Sequence, residues 1–204
     1  MNKYPVGFLS YVRKDDEHNG GYLSKFRMRL SGEVYAQTGE VFDVFQDTKD
    51  IGWGDDWEDR INDGIDDGTF LICIITPCYF RSEACRKELS RFIAREKALG
   101  RHDLILPVYY ITCPVLEDEG KRREDPLAQM ISTRNYVDWR DLRFRPIDSP
   151  QAKKRLAEIA TDIRQAIEAR TSAGEINKWA SSSPPGRKLP CFFEACANHE
   201  GSAI

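Results

Sequence analysis

Glu88 occupies a position in the sequence where a carboxylate could do chemistry. It lies three residues after Cys85 and four before Phe92, so helical spacing places it beside an apolar stripe rather than on the solvated back. A carboxylate there can stabilise positive charge that develops in a transition state. The same spacing also fits a partly exposed glutamate that pairs with Arg91 or Arg95, and the pattern alone leaves both roles open.

Further candidate binding residues lie at the ends of apolar runs. Ser10, Tyr11 and Arg13 close the first run, and Arg13 has the charge to neutralise a pyrophosphate, although it fits an ordinary surface arginine equally well. Phe45 and Trp53 have rings able to stack on a planar aromatic ligand. Phe45 fits a core position equally well, and Trp53 fits a protein contact equally well.

Two neighbours of Glu88 are also candidates for a substrate pocket. Ser82 is predicted to be the N-cap of the helix, with its hydroxyl accepting from a free N–H of the first turn. Cys85 fits a small buried hydrophobic residue, although its place in the sequence also suits a pocket wall. Because a cysteine nucleophile needs a histidine partner and the chain has only three histidines, we expect no thiol catalysis.

The six cysteines are predicted to be reduced thiols that hold no metal. Cys73 lies inside an apolar run, and the next three cysteines show no paired C-x-x-C spacing. Cys191 and Cys196 have one histidine nearby, whereas a structural zinc site normally needs two compact ligand pairs. We therefore expect no metal site.

Charge and hydropathy argue against several classes of function. The 30 basic and 33 acidic residues give a net charge of −3 and a pI near 5.7, so no general attraction to nucleic acid or anionic membrane is expected. No apolar run reaches the ~18 residues of a membrane span, and the N-terminus has no hydrophobic signal core. These features predict a cytoplasmic location without nucleic-acid or membrane partners.

Five apolar runs have the length of β-strands. The third and fourth are nearly continuous, which is typical of parallel strands covered on both faces. Pro107 in the fourth run removes a ladder donor and predicts an edge position or a local bulge. The five runs are residues 6–11, 41–45, 70–76, 104–111 and 136–139.

Helical stripes separate these runs and complete the predicted fold. The stripes cover residues 23–34, 57–65, 82–99 and 156–167. Alternating strands and helices predict an α/β fold that is three-layered, doubly wound and flavodoxin-like, with about five parallel strands and helices on both faces. Ligand sites in such folds lie at the carboxyl ends of the strands.

The remaining segments predict little regular structure. Residues 112–133 are rich in charge and predict a surface excursion with one short helix near residues 127–131. The helical pattern stops after Arg170, and a Ser-Pro-rich stretch follows. We therefore predict one domain over residues 1–170 and a flexible tail or linker over residues 171–204.

Three motifs follow one another on this βα background. The first run ends in Ser10 and Tyr11 followed by charged residues, and the second precedes a segment rich in glycine and tryptophan around Gly52. The third precedes a Ser, a Cys and a Glu-Leu pair within residues 82–89. In this order the motifs resemble those of the Toll/interleukin-1 receptor (TIR) domain family, bacterial type.

The resemblance implies an activity for Glu88. Many members cleave NAD at the nicotinamide–ribose bond with the glutamate of the Glu-Leu pair, which implies an NAD glycohydrolase, or a cyclase, in anti-phage defence or signalling. NAD is then a substrate and no cofactor is expected, in line with a sequence that contains no G-x-G-x-x-G motif. Other members lack a working glutamate, so a non-catalytic scaffold for homotypic assembly is the alternative.

The segment 48–57 resembles the loop with which TIR domains contact one another. Its Trp53 and Trp57 are the aromatic type that anchors protein interfaces. The resemblance implies self-association with other TIR domains, as a homo-oligomer or filament, that activates the enzyme. A loop folded over its own pocket is the other interpretation.

The sequence disfavours a response receiver, a flavodoxin-like module that is phosphorylated on an aspartate. Such a module needs a phosphoacceptor aspartate at the end of the third strand, and this chain has Thr76 and Pro77 there.

Overall fold

The computed structural model describes residues 6–46 and 69–182, with the side chains of residues 6–45 and 69–169. Within these residues, five strands pair in parallel in one sheet: β1 (Val6–Ser10), β2 (Asp43–Gln46), β3 (Thr69–Ile75), β4 (Ile105–Tyr109) and β5 (Val137–Asp138). The spatial order is β2-β1-β3-β4-β5, which confirms the predicted flavodoxin-like arrangement.

Helices surround this sheet and connect its strands. The described helices are α1 (Arg13–His18), α2 (Tyr22–Thr38), α3 (Glu83–Leu99), α4 (Pro114–Glu117), α5 (Glu119–Glu124), α6 (Pro126–Ser132) and α7 (Pro150–Ser182). Two 3-10 turns cover Tyr79–Arg81 and Leu142–Phe144. Among the described helices, none is long and apolar enough to cross a membrane.

The central strand β3 explains the continuous apolar run in the sequence. All of its residues are buried, since β1 and β4 pair along its two edges and helices cover its faces. The stripe of α2 that the sequence predicted is buried as well, and its members Leu23, Phe26, Leu30 and Val34 join the same core.

Helix α2 begins with a cap that comes from another helix. Gly21 precedes it with a φ of 73°, a left-handed conformation that glycine adopts without strain. Because glycine has no side chain, Gly21 cannot supply a side-chain acceptor for the first turn of the helix. The buried carboxylate of Asp16 in α1 takes over this role. It accepts from the N–H of Leu23 at 2.7 Å and from the Ser24 hydroxyl at 2.7 Å. Asp16 therefore fixes α1 against the start of α2.

Pro107 does not mark an edge strand, because β4 lies between β3 and β5. Parallel strands direct alternate residues to opposite neighbours. Trp139 donates to the carbonyl of Tyr109, so Tyr109 and Pro107 face the β5 side. The ladder between β4 and β5 begins only at Val108, and the N–H that proline lacks therefore faces no strand partner.

The excursion after β4 contains three helices, whereas the sequence predicted one short helix. The expected helix is α6, and α4 and α5 precede it. Asp118 caps α5 by accepting from the N–H of Lys121, and Asp125 caps α6 by accepting from the N–H groups of Leu127 and Ala128. These caps stabilise short helices that lack a clear apolar period.

Two further predictions concern residues at or beyond the ends of the described ranges. Helix α7 continues past Arg170 to Ser182, so the helical segment is longer than expected. The stripe at residues 57–65 and the segment 183–204 lie outside the described residues. The predicted division into a domain and a flexible tail stays a prediction.

A buried ion pair ties the end of α3 to the start of β4. Glu96 is 2% exposed, and its Oε1 accepts from the N–H groups of Leu104 at 2.9 Å and Ile105 at 3.2 Å. Arg134 donates to its Oε2 at 2.5 Å. Removing one member of such a group leaves buried polar atoms without a partner.

We expect Glu96→Ala to lower the free energy of unfolding by about 3–5 kcal/mol, because two backbone N–H groups and Arg134 lose their acceptor. Urea denaturation followed by circular dichroism measures this loss. Glu158→Ala is the control, because its pair with Arg155 is solvent-exposed and worth at most about 1 kcal/mol. Equal losses in the two variants would contradict the assignment of Glu96.

Candidate active site

A cleft of about 340 Å³ opens where β1 ends and α3 begins. In the order β2-β1-β3, the chain passes from β1 to β2 on one side and then to β3 on the other side, so the strand order reverses at β1. Doubly wound folds bind ligands at this switch point, outside the carboxyl ends of the strands. The lining residues are Phe8, Leu9, Ser10, Tyr11, Val12, Arg13, Lys14, Glu17, Ser82, Ala84, Cys85 and Glu88.

Helix α3 brings Glu88 into the cleft. The helix starts at Ser82, whose extended backbone and hydroxyl form the predicted N-cap by accepting from the N–H of Cys85 at 3.3 Å. Glu88 follows in the second turn, next to the fully buried Leu89. It is half-buried and lines the cleft, rather than pointing into open solvent from the back of the helix.

Ser10 holds the carboxylate of Glu88 across the cleft floor. Its hydroxyl donates to Oε2 of Glu88 at 2.6 Å, a short distance that is typical of a hydrogen bond to a charged acceptor. Ser10 is itself 1% exposed at the end of β1. The contact joins residues 78 positions apart in the sequence, and it fixes α3 to β1 at the switch point.

A buried tyrosine continues this contact into the core. The hydroxyl of Tyr79 lies 3.1 Å from Oγ of Ser10, and Tyr79 is completely buried in the 3-10 turn after β3. Burial raises the pKa of Tyr79 well above its ordinary value, so the phenol keeps its proton. Tyr79 also shares a hydrogen bond with the thiol of Cys73 in β3.

A second polar contact fixes α1 beside the cleft. Thr76, directly after β3, donates from Oγ1 to Oδ2 of Asp15 at 2.8 Å and accepts from the N–H of Tyr79 at 3.2 Å. The three residues connect the end of β3, the 3-10 turn and α1. This places Arg13 and Lys14 of α1 at the exposed rim.

Most of the predicted binding residues meet at this cleft. Ser10, Tyr11, Ser82 and Cys85 all line it, together with Glu88. Ser10 and Tyr11 lie at the end of β1, and the other three lie in or just before the first two turns of α3. Their roles toward a ligand stay predictions.

Arg13 and Phe45 lie differently from what the sequence predicted. Arg13 does not close the first strand, because β1 ends at Ser10 and Arg13 starts α1, although it still lines the cleft. Phe45 is 40% exposed on β2, so it is not a core residue, and it does not line this cleft. Its register partner Phe8 lines the cleft instead, together with Tyr11. Trp53 and Trp57 lie outside the described residues.

Three residues beneath the cleft, Tyr79, Thr76 and Asp15, were not predicted as site residues. Thr76 and Tyr79 nevertheless lie directly after the fully buried strand β3. Polar or aromatic residues directly after a buried parallel strand were the signal that could have found them.

Residues 8–157 of the sequence match the TIR domain family. The chain belongs to this family. Among solved structures, it is similar to the TIR domains in the structure of the activated Roq1 resistosome directly recognizing the pathogen effector XopQ, at 15% identity and a TM-score of 0.41. That match covers 81% of this chain and 99% of the other. No curated protein matches the sequence.

The thiols of this TIR domain are poorly suited to act as nucleophiles. Cys85 is 2% exposed, and burial raises its pKa. Burial likewise raises the pKa of Cys73 to about 12. Cys73, Cys78, Cys85 and Cys113 are free thiols in the described part of the chain. Within residues 6–46 and 69–182, no group of three His, Cys, Asp or Glu side chains could hold a metal ion.

We expect iodoacetamide at neutral pH to alkylate the exposed Cys78 well before Cys85 and Cys73. A raised pKa means that the reactive thiolate forms only at higher pH, so alkylation of Cys85 and Cys73 should increase as the pH rises toward their pKa values. Peptide mapping by mass spectrometry over a pH series measures the order. Rapid modification of Cys85 at neutral pH would contradict the neutral thiol.

Proposed function

We propose that this TIR domain cleaves NAD at the nicotinamide–ribose bond, with Glu88 as the catalytic carboxylate. The observation that supports the proposal is the carboxylate of Glu88 lining the cleft at the switch point, held by Ser10 at 2.6 Å. A carboxylate held beside a cleft suits a reaction in which positive charge develops.

The reaction requires only one carboxylate from the protein. As the bond between C1′ of the ribose and the pyridinium nitrogen breaks, its electron pair leaves with nicotinamide, which becomes neutral. The ribose becomes oxocarbenium-like, and Glu88 stabilises that charge. Water then adds to C1′ and loses a proton to solvent, which yields ADP-ribose, or an intramolecular nucleophile adds and yields a cyclic product.

The cleft suits the nicotinamide riboside end of the substrate. Its volume of about 340 Å³ lies at the small end of the roughly 300–1,000 Å³ that is usual for small-molecule sites. The remaining substrate would extend toward the rim, where Arg13 could neutralise the pyrophosphate. Tyr11, Ser82 and Cys85 would form the walls of the riboside subsite.

Self-association is the proposed form of regulation. We infer that Trp53 and Trp57 in the segment 48–57 contact a neighbouring TIR domain, and that Trp53 or Phe45 stacks on a ring of the substrate once the domains assemble. The small volume of the cleft supports a site that a neighbour completes. We place this activity in the cytoplasm, in a TIR domain of the bacterial type that serves anti-phage defence or signalling.

We expect Glu88→Gln to reduce NAD cleavage by about 10³-fold or more, because the amide keeps the shape of the side chain and removes the charge that stabilises the transition state. Release of nicotinamide from NAD, followed by chromatography at high protein concentration, measures this loss. Glu83→Gln is the control, since Glu83 lies exposed in the first turn of the same helix. Wild-type protein that is assembled and yet inactive would support a non-catalytic scaffold instead.

The specific activity should rise with protein concentration if assembly completes the site. Trp53→Ala should lower the activity at every concentration and leave the thermal stability unchanged, because it weakens the contact between domains. Light scattering and nicotinamide release, measured on the same samples, test both effects. Constant specific activity down to the lowest measurable concentration, unaffected by Trp53→Ala, would refute activation by assembly and leave Glu88 as the catalyst.

A further inference from the structure

We propose that Tyr79 is a positioning residue for the Glu88 carboxylate, and that it acts through Ser10 without touching the substrate. The inference rests on the proposed function of Glu88 and adds a residue to it. It is carried by two consecutive contacts, Tyr79 to Ser10 at 3.1 Å and Ser10 to Glu88 at 2.6 Å.

The number of hydroxyl protons sets the direction of the two hydrogen bonds. A carboxylate only accepts, so Ser10 must use its single proton on Glu88. Oγ of Ser10 is then only an acceptor toward Tyr79, and the phenol must donate to it. Two donors therefore point in series toward the carboxylate, an arrangement in which each bond strengthens the next.

Burial makes this arrangement hard to reverse. Tyr79 is 0% exposed and Ser10 is 1% exposed, so water does not compete for either hydroxyl. The 3-10 turn fixes the phenol, because the N–H of Tyr79 donates to Thr76 and its ring packs edge-on to Phe80 at 5.8 Å. The thiol of Cys73 completes the environment of the phenol from the strand side.

The arrangement favours the ionised form of Glu88. Hydrogen bonds donated to a carboxylate stabilise its charge, and that charge is what the proposed transition state requires. The other charged or titratable groups around the cleft are Arg13, Lys14, Asp15 and Glu17 of α1, Tyr11 after β1, and Cys85 on α3 itself. A variant that changes only Tyr79 leaves all of them in place.

Tyr79→Phe removes the phenol hydroxyl and keeps the buried ring. With NAD as substrate, we expect kcat to fall about fivefold to tenfold, the loss that one hydrogen bond typically produces, and KM to stay within about twofold. The acid limb of the kcat profile should move by about half a pH unit or more to higher pH, because the carboxylate loses support for its charge.

Ser10→Ala removes the donor itself and is the second variant. We expect a loss in kcat of about tenfold to a hundredfold and an acid limb that moves at least as far as in Tyr79→Phe. If Tyr79→Phe fails to fold, this variant tests whether hydroxyl donors set the acid limb. An acid limb unchanged in Ser10→Ala would overturn the proposal.

Tyr110→Phe is the matched control. Tyr110 is 1% exposed and its hydroxyl accepts from the side chain of Asn19, but it does not line the cleft. This variant should lose a similar amount of stability and leave the pH profile unchanged. A merely structural role for Tyr79 would make the two tyrosine variants behave alike, and that result would overturn the proposal.

A separate measurement distinguishes failure of this proposal from failure of the proposed function. If the wild-type protein does not cleave NAD, the proposed function fails. The carboxyl of Glu88 can still be titrated by ¹³C NMR, and its resonance is assigned as the one that is absent from the spectrum of Glu88→Gln. The pH midpoint of this titration should rise in Tyr79→Phe and stay unchanged in Tyr110→Phe. An unchanged midpoint in Tyr79→Phe would overturn the positioning role.

Discussion

The hydrogen bond between Ser10 and Glu88 is the contact on which the candidate site depends. It requires β1 to lie between β2 and β3, and it requires α3 to pass over the carboxyl end of β1 with its second turn facing inward. Ser82 sets where α3 begins, because its hydroxyl caps the first turn. A shift of one residue in this start would rotate Glu88 by about 100° and remove it from the cleft.

Several buried polar groups lie together beneath this cleft. Ser10, Thr76 and Tyr79 are all buried, and each has a hydrogen-bond partner within the same cluster. Leaving one of them unpaired would cost about 1–3 kcal/mol, so the cluster is stable only as a complete set. Away from the cleft, Glu96 and Arg134 form a buried ion pair that connects α3 to the start of β4 and performs a structural role. Burial of a carboxylate is therefore not by itself a sign of function, whereas burial beside a cleft at the switch point supports one.

The strands and long helices could be predicted from the sequence because burial leaves a regular apolar pattern. The five runs match β1 to β5 to within two residues at each end, and the capped start of α3 placed Glu88 correctly. Short helices such as α4 and α5 contain no buried residue, so they left no apolar period to detect. The role of Tyr79 could not be predicted, because it arises from a contact with Ser10 across 69 positions of sequence. Phe45 and Phe8 are neighbours in register, and only the three-dimensional fold decides which of them faces the cleft.

The two-residue strand β5 limits how this side of the sheet can meet another molecule. Its ladder with β4 begins only at Val108, after Pro107, so the strand offers few backbone groups for pairing. Addition of a foreign strand needs a long row of free N–H and C=O groups, and short edges discourage it. The exposed ring of Tyr136 and the ion pair of Arg140 with Asp138 lie at or beside this strand. Recognition at this end of the sheet would therefore depend on side-chain chemistry, which mutation can tune one residue at a time, rather than on the sequence-independent pairing of main chains.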